Sequence, residues 1–315
     1  MKTGAFIVPT GIGASIGGFA GDAGKWARRL SKKCKLIVNP NVVNAACFSA
    51  INDNMLYVEG YALDKFFQGK CSLEETTSNK IGVIFDKEIP QDVLNIHINT
   101  LNAVSTVYDI NIPFFEVTDE NVGVEFFVNK SGVSMGNIQN LNTIKQAAIR
   151  LINKGASAIA LVCRFPDEQE NAYAQGIGVD PVGGVEAILS HYISKEFLIP
   201  CAHAPAFDDY TIYPQIVDPR CSAEYITPTF LPCILLGLNN APHILNNNKG
   251  LTVNKLDFLV IPYNSIGCIP TLEASKKGIK IYAVKENQTI LNVTPENFLV
   301  KCDIIDSYEE LLELL

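Results

Sequence analysis

Positive charge is scarce in this sequence: 25 Lys and Arg, only five of them Arg, stand against 33 Asp and Glu, for a net charge of −8. No stretch gathers the basic residues into a patch, so a face able to track a phosphate backbone, and nucleic acid as a partner, are excluded. Charged residues make up only 18% and hydrophobic ones 48%, yet no apolar run approaches the ~20 residues that span a bilayer. The expectation is a soluble, heavily buried chain with no membrane partner. Nine cysteines include no Cys-x-x-Cys pair, which removes the zinc-ribbon and thioredoxin readings. An odd number of scattered thiols suits a reducing compartment, with the cytoplasm as the default. The apolar start Phe6-Ile7-Val8 is broken by Pro9, Gly11, Gly13, Gly17 and Gly18; it reads as a first strand and loop rather than a signal peptide.

A length of 315 residues allows one large domain or two lobes. Short apolar runs of strand length recur, among them Ala5–Val8, Leu36–Val38, Ile81–Phe85, Ala158–Cys163, Phe197–Cys201, Phe258–Pro262 and Ile279–Val284. Most are continuous rather than alternating, as strands covered on both faces are. Helical spacing joins several of them. Val185, Ile188, Leu189, Tyr192 and Ile193 share one face of a helix opened by Asp180-Pro181, and Leu141, Ile144, Ala148, Leu151 and Ile152 share another that stops at Gly155. A shorter helix from Pro270 ends at Gly278. Such alternation predicts an α/β fold, a mainly parallel sheet with helices on both faces, Rossmann-like. Residues 1–315 read as one functional unit, with lobes expected at 1–130 and 131–315; Asp86–Val128 reads as a strand-rich subdomain or antiparallel edge.

In open α/β sheets ligands bind beyond the carboxyl ends of the strands, so the loops after the apolar runs carry the chemistry. After the first run, Pro9-Thr10-Gly11-Ile12-Gly13-Ala14 offers backbone donors for a phosphate or carboxylate. The spacing Gly-x-Gly-x-x-x-Gly and the acid-free Asn39-Pro40-Asn41 depart from the dinucleotide fingerprint, so no cofactor is specified. Arg164 suits a carboxylate clamp, or an ion pair with Asp167 or Glu168. Gly183 and Gly184 weaken the first helical turn by ~1 kcal/mol each relative to Ala, which tight packing or a ligand close to the backbone must offset. The segment Cys201-Ala202-His203-Ala204-Pro205-Ala206-Phe207-Asp208-Asp209 holds the densest set of reactive groups: His203 and Asp208 for proton transfer, Cys201 as nucleophile or core residue. Arg220 and Glu224 lie at helical spacing, either as an exposed pair or as anion clamp and acid/base. A metal held by His203, Asp208, Asp209 and Glu224 is chemically conceivable, but without a close His pair it is not the favoured reading. Asn264 and Cys268 sit in a polar loop that is expected to face the glycine loop.

The motifs Val8-Pro9-Thr10-Gly11-Ile12-Gly13, Tyr57-Val58-Glu59-Gly60-Tyr61-Ala62-Leu63-Asp64, Gly178-Val179-Asp180-Pro181-Val182-Gly183-Gly184-Val185-Glu186-Ala187, Pro200-Cys201-Ala202-His203-Ala204-Pro205 and Pro228-Thr229-Phe230-Leu231-Pro232-Cys233 together resemble domain-of-unknown-function family 3326 over nearly the whole chain. That resemblance implies no activity and carries no catalytic role across. The residues themselves point to an enzyme acting on a small anionic metabolite, a carboxylate or phosphate ester, by acid-base or thiol chemistry. Thr10, Gly11, Gly13, Arg164, Gly183, Gly184, Arg220 and Asn264 are the expected binding residues, and His203, Cys201, Asp208, Glu224 and Cys268 the expected reactive ones. The competing classes are a non-catalytic ligand-binding or regulatory protein and a purely structural subunit. A homo-oligomer is compatible with each.

Overall fold

The structure, a computed structural model, describes residues 1–19, 21–165, 171–207, 210–212 and 214–315; of residues 171 and 172 it describes the backbone only. Two parallel sheets organise it. The first contains six strands, β1 (Lys2–Phe6), β2 (Cys34–Val38), β3 (Met55–Tyr57), β10 (Phe258–Pro262), β11 (Lys280–Val284) and β12 (Asp303–Ile305), in the order β12-β11-β10-β1-β2-β3. The second contains β4 (Ile81–Phe85), β5 (Phe114–Val117), β8 (Ala158–Arg164) and β9 (Cys201–Ala206), in the order β9-β8-β4-β5. An antiparallel hairpin, β6 (Val124–Val128) with β7 (Ser134–Ile138), stands apart from both.

The continuous apolar runs become strands because successive side chains point to opposite faces and both faces are covered. In β8, Ala158, Ala160 and Val162 enter a cluster lying between the sheets, while Ile159, Leu161 and Cys163 pack outward. In β10, Phe258 and Val260 join the same middle cluster, and Leu259 and Ile261 face away. The helix α6 (Leu231–Asn239) belongs to this middle layer, where Leu231, Ile234, Leu235 and Leu238 are buried completely or nearly so. Also in it are residues of α1 (Gly24–Leu30), α3 (Gln91–Tyr108) and α8 (Tyr308–Leu314). Outside the first sheet lie α2 (Gly60–Phe67) and α7 (Ile269–Lys276); outside the second lie α4 (Leu141–Asn153) and α5 (Gly183–Phe197).

Two expectations need correction. Asp86–Val128 is dominated by the helix α3, because Val93, Leu94, His97, Leu101 and Val104 form a buried stripe at helical spacing. Phe197 ends α5 rather than opening a strand, and Leu198 takes the left-handed conformation (φ 56°) that turns the chain into β9. The boundary at residue 130 falls inside the turn of the β6–β7 hairpin, and the first sheet draws its strands from both ends of the chain.

Candidate active site

The loop that leaves β1 is fixed by side-chain amides. Asn39 accepts from the Val8 amide (3.0 Å) and donates to the Val8 carbonyl (2.7 Å), while Asn41 donates to Thr10 Oγ1 (3.2 Å). Gly11 (φ 68°) and Gly13 (φ 56°) are left-handed on either side of Ile12, which is not. An L side chain resists that backbone, and alternation of this kind builds anion-binding nests. Farther along, the amides of Ser15, Ile16 and Gly17 are taken by Gln288 O, Asn287 Oδ1 and Asp22 Oδ1. Among the described residues, the amides of Gly11, Ile12, Gly13 and Ala14 have no acceptor.

The second wall comes from the start of α5. Asp180 accepts from the amides of Val182 (3.0 Å) and Gly183, and Ser134 Oγ accepts from Gly184 (2.9 Å) while donating to Pro181 O (2.6 Å). A Cβ on Gly184 would lie 2.2 Å from the Ser134 carbonyl oxygen. Both glycine amides are thus held by protein atoms, and close packing of the hairpin against α5 offsets the poor helix propensity. Val185, Leu189 and Ile193 enter the core, but Ile188 is 41% exposed. A second buried stripe, Glu186, Ser190 and Ser194 at i, i+4 and i+8, is polar.

That stripe meets β9, an edge strand, where Pro205 costs no ladder bond. Alternation sends Ala202, Ala204 and Ala206 to the middle layer and Cys201 and His203 toward α5. His203 Nδ1 lies 2.9 Å from Ser190 Oγ, and Nε2 lies 3.8 Å from Glu186 Oε2. Behind Ser190, its Oγ is 3.5 Å from Oε2 of Glu59, a residue between β3 and α2. Burial pulls the His203 imidazole down to about 3, assisted by His191, and pushes the Glu59 carboxyl up to about 8. Glu186 is raised well above the usual carboxylate range by burial and by its neighbours Asp180, Glu224 and Glu59. Burial thus disfavours the charged form of both partners, pushing the pair toward a neutral imidazole facing a neutral carboxyl and away from an ion pair. Glu59 Oε1 and Glu186 Oε1 are buried without a hydrogen-bond partner.

These walls enclose a cavity of about 290 Å³. Tyr173 closes one side, its ring 5.2 Å from Phe19 and its hydroxyl donating to Glu224 (3.1 Å); Phe207 and Phe230, edge to face at 6.0 Å, close another. Thr10, Gly11, Gly13, His203 and Glu224 line this one space, together with Asp180, Tyr173 and Glu186, which the sequence reading did not single out. The described residues of the wall include no Lys or Arg.

Other expected residues lie elsewhere. Cys201 is fully buried in the outer core of the second sheet, where burial holds its thiol well above the ordinary value, and it does not line the cavity. Cys268 packs on the far face of the first sheet with its thiol 3.1 Å from Thr271 Oγ1. Asn264 spends its amide on the backbone of Thr289 and Leu291, and touches the glycine loop only at second hand, through the bond from Ile290 to Ile12. Arg220 is chelated by Asp218 (3.0 and 3.2 Å) instead of pairing with Glu224, and lies over the Phe19 ring at 4.6 Å. Arg164 pairs with Glu88 (2.6 Å) in a separate polar hollow. Asp167, Glu168, Asp208 and Asp209 lie outside the described residues. Among the described residues, no three His, Cys, Asp or Glu side chains are grouped to hold a metal ion, and no helix is long and apolar enough to cross a membrane.

A family model described as "Protein of unknown function (DUF3326)" matches residues 3–315. A protein of Synechococcus sp. described as an uncharacterized lipoprotein is 36% identical over 317 residues, covering 98% of this chain and 88% of that protein. No solved structure matches.

Proposed function

The chain belongs to the DUF3326 family, and we propose that this member is an enzyme of small-molecule metabolism that moves protons on a small carboxylate. The observation that carries the reading is the pair His203 and Glu186, 3.8 Å apart at the cavity wall, where burial disfavours the charged form of each. A neutral imidazole accepts a proton while a neutral carboxyl delivers one, the two halves of an isomerisation or an elimination. Substrate placed between them would bridge a gap too long for a direct hydrogen bond. Glu224 and Tyr173 stand in reserve on the opposite wall.

The amides from Gly11 to Ala14, to which no described residue presents an acceptor, favour a ligand with an anionic or carbonyl oxygen. With Asp180, Glu186 and Glu224 in the wall and no Lys or Arg among its described residues, a monoanionic carboxylate suits the site better than a dianionic phosphate. The thiol chemistry weighed for Cys201 and Cys268 has no support in their placement. The strand order of the first sheet, read in chain order as 6-5-4-1-2-3, favours a Rossmann-like ancestry with the second sheet as an inserted lobe. For residence we propose a reducing compartment, the cytoplasm, since all nine cysteines are free thiols. The description of the Synechococcus relative as a lipoprotein sets the competing expectation, and cell fractionation separates the two.

The test is solvent isotope incorporation. The protein is incubated in D2O with a panel of small carboxylates and phosphate esters, and proton NMR reads loss of a substrate C–H signal. Exchange into a carboxylate that vanishes in Glu186→Gln and His203→Gln supports the reading. Ligands that raise Tm without exchange or product would replace it with a binding protein.

A further inference from the structure

Glu59 has no place in the mechanism above, yet its position is unusual. It is 7% exposed, its side chain does not cap the helix it precedes, and its hydrogen-bond contacts among the described residues are Ser190 Oγ and the backbone amide of Gly60. Its second oxygen is buried and unpartnered. Among the described residues no Lys or Arg answers it; the titratable groups that face it and His203 are Tyr57 on β3, Cys201 on β9, and Glu186 and His191 on α5. A carboxyl kept in such a place, with a single contact leading to the candidate base, has the geometry of a proton store.

We infer that Glu59 is a relay residue, exchanging a proton with the cavity through Ser190 Oγ (3.5 Å) and His203 Nδ1 (2.9 Å). The inference rests on His203 facing substrate, as proposed above. In the accepting direction Glu59 starts ionised, Ser190 donates to it, and Nδ1–H donates to Ser190. Nε2 takes the substrate proton, Nδ1 gives its own to Ser190 Oγ, and the original Ser190 proton passes to Glu59 Oε2. Bonds to hydrogen form at Nε2, Oγ and Oε2 and break at substrate, Nδ1 and Oγ; one negative charge moves from Glu59 to the substrate, with no oxidation or reduction. The ring never has to hold two protons, which burial forbids down to about pH 3. With Glu59 protonated the chain runs backwards and His203 presents Nε2–H, an acid. The state of Glu59 thus selects whether His203 gives or takes a proton, and the accepting role proposed above belongs to the ionised Glu59, so it grows as pH rises toward about 8.

The relay is read without substrate, by long-range proton–nitrogen NMR of the full-length protein labelled at histidine nitrogens, with His203 assigned by His203→Gln. In the wild type the ring proton of His203 should move from Nε2 to Nδ1 as pH rises through about 8. Glu59→Gln should hold Nε2–H across that window, and Ser190→Ala should uncouple the ring from it. A wild-type tautomer that ignores this window, or a switch that persists in Glu59→Gln, overturns the relay. A normal switch without isotope incorporation into any substrate leaves the relay standing and removes the proposed reaction; the reverse pattern removes the relay alone.

Discussion

In the proposed reaction Glu186 donates its proton only while it stays protonated, so Glu186→Gln should keep the shape and remove the function. Proton-transfer groups typically contribute 10²–10⁴-fold, and isotope exchange should fall by about that factor while Tm stays the same or rises. Glu59 adds a pH dependence to stability. Its folded-state carboxyl titrates at about 8 against an ordinary 4.5, so between those values the native state holds a proton that the unfolded chain has released. Stability must then fall as pH rises from about 4.5 to about 8 and level off above. Glu59→Gln should flatten this slope and raise stability at pH 8 by roughly 1–3 kcal/mol, checked by urea denaturation across that range. At this scale the sequence was half legible. His203 stood out because it is one of four histidines among polar neighbours. Glu186 did not, because one acid in a helix ordinarily faces water; only the repeat Glu186-Ser190-Ser194 at four-residue steps marks a buried polar stripe.

Among the elements, α5 is where the fold and the site meet. Its first turn is pinned by Ser134, whose hydroxyl serves both the Gly184 amide and the Pro181 carbonyl. Gly184→Ala would gain up to ~1 kcal/mol of helix propensity, but the new methyl would meet the Ser134 carbonyl at 2.2 Å. A net loss of about 1–3 kcal/mol is expected from the overpacking, measured by thermal denaturation. Ser134→Ala, which removes the bonds without adding bulk, should cost about 1–2 kcal/mol. The sequence exposed the need for compensation at Gly183 and Gly184 but not its source, because Ser134 lies 50 residues away in a hairpin with no sequence link to the helix. Strands such as β8, β10 and β11 were legible from their unbroken apolar runs. The long helix α3 was hidden by its Asn residues at exposed positions and by the polar His97 within its buried stripe, which dilute the periodic signal.

Across the whole molecule, a single apolar cluster contains residues from both sheets and from α6. Unfolding should therefore be one transition: Trp26 fluorescence, reporting the α1–α8 contact with Tyr308 at 5.4 Å, and far-ultraviolet circular dichroism should give coincident urea curves. Separate midpoints would mean that the sheets melt independently. Thiol titration offers a second check, since Cys34, Cys71, Cys163, Cys201, Cys221 and Cys233 are buried. Native alkylation should stop at Cys47, Cys268 and Cys302, with the remainder reacting only after denaturant.

The central strand of the six-stranded sheet carries a consequence for biogenesis. β1 is flanked by β2 and β10, and Thr3 bonds to Asp257 across 254 residues of chain. On the ribosome, one edge of this hydrophobic ribbon stays bare until nearly the entire polypeptide has emerged. Such a nascent chain needs shielding by chaperones for most of its translation, and its refolding from denaturant should be slow for its size because the decisive pairing closes so large a loop.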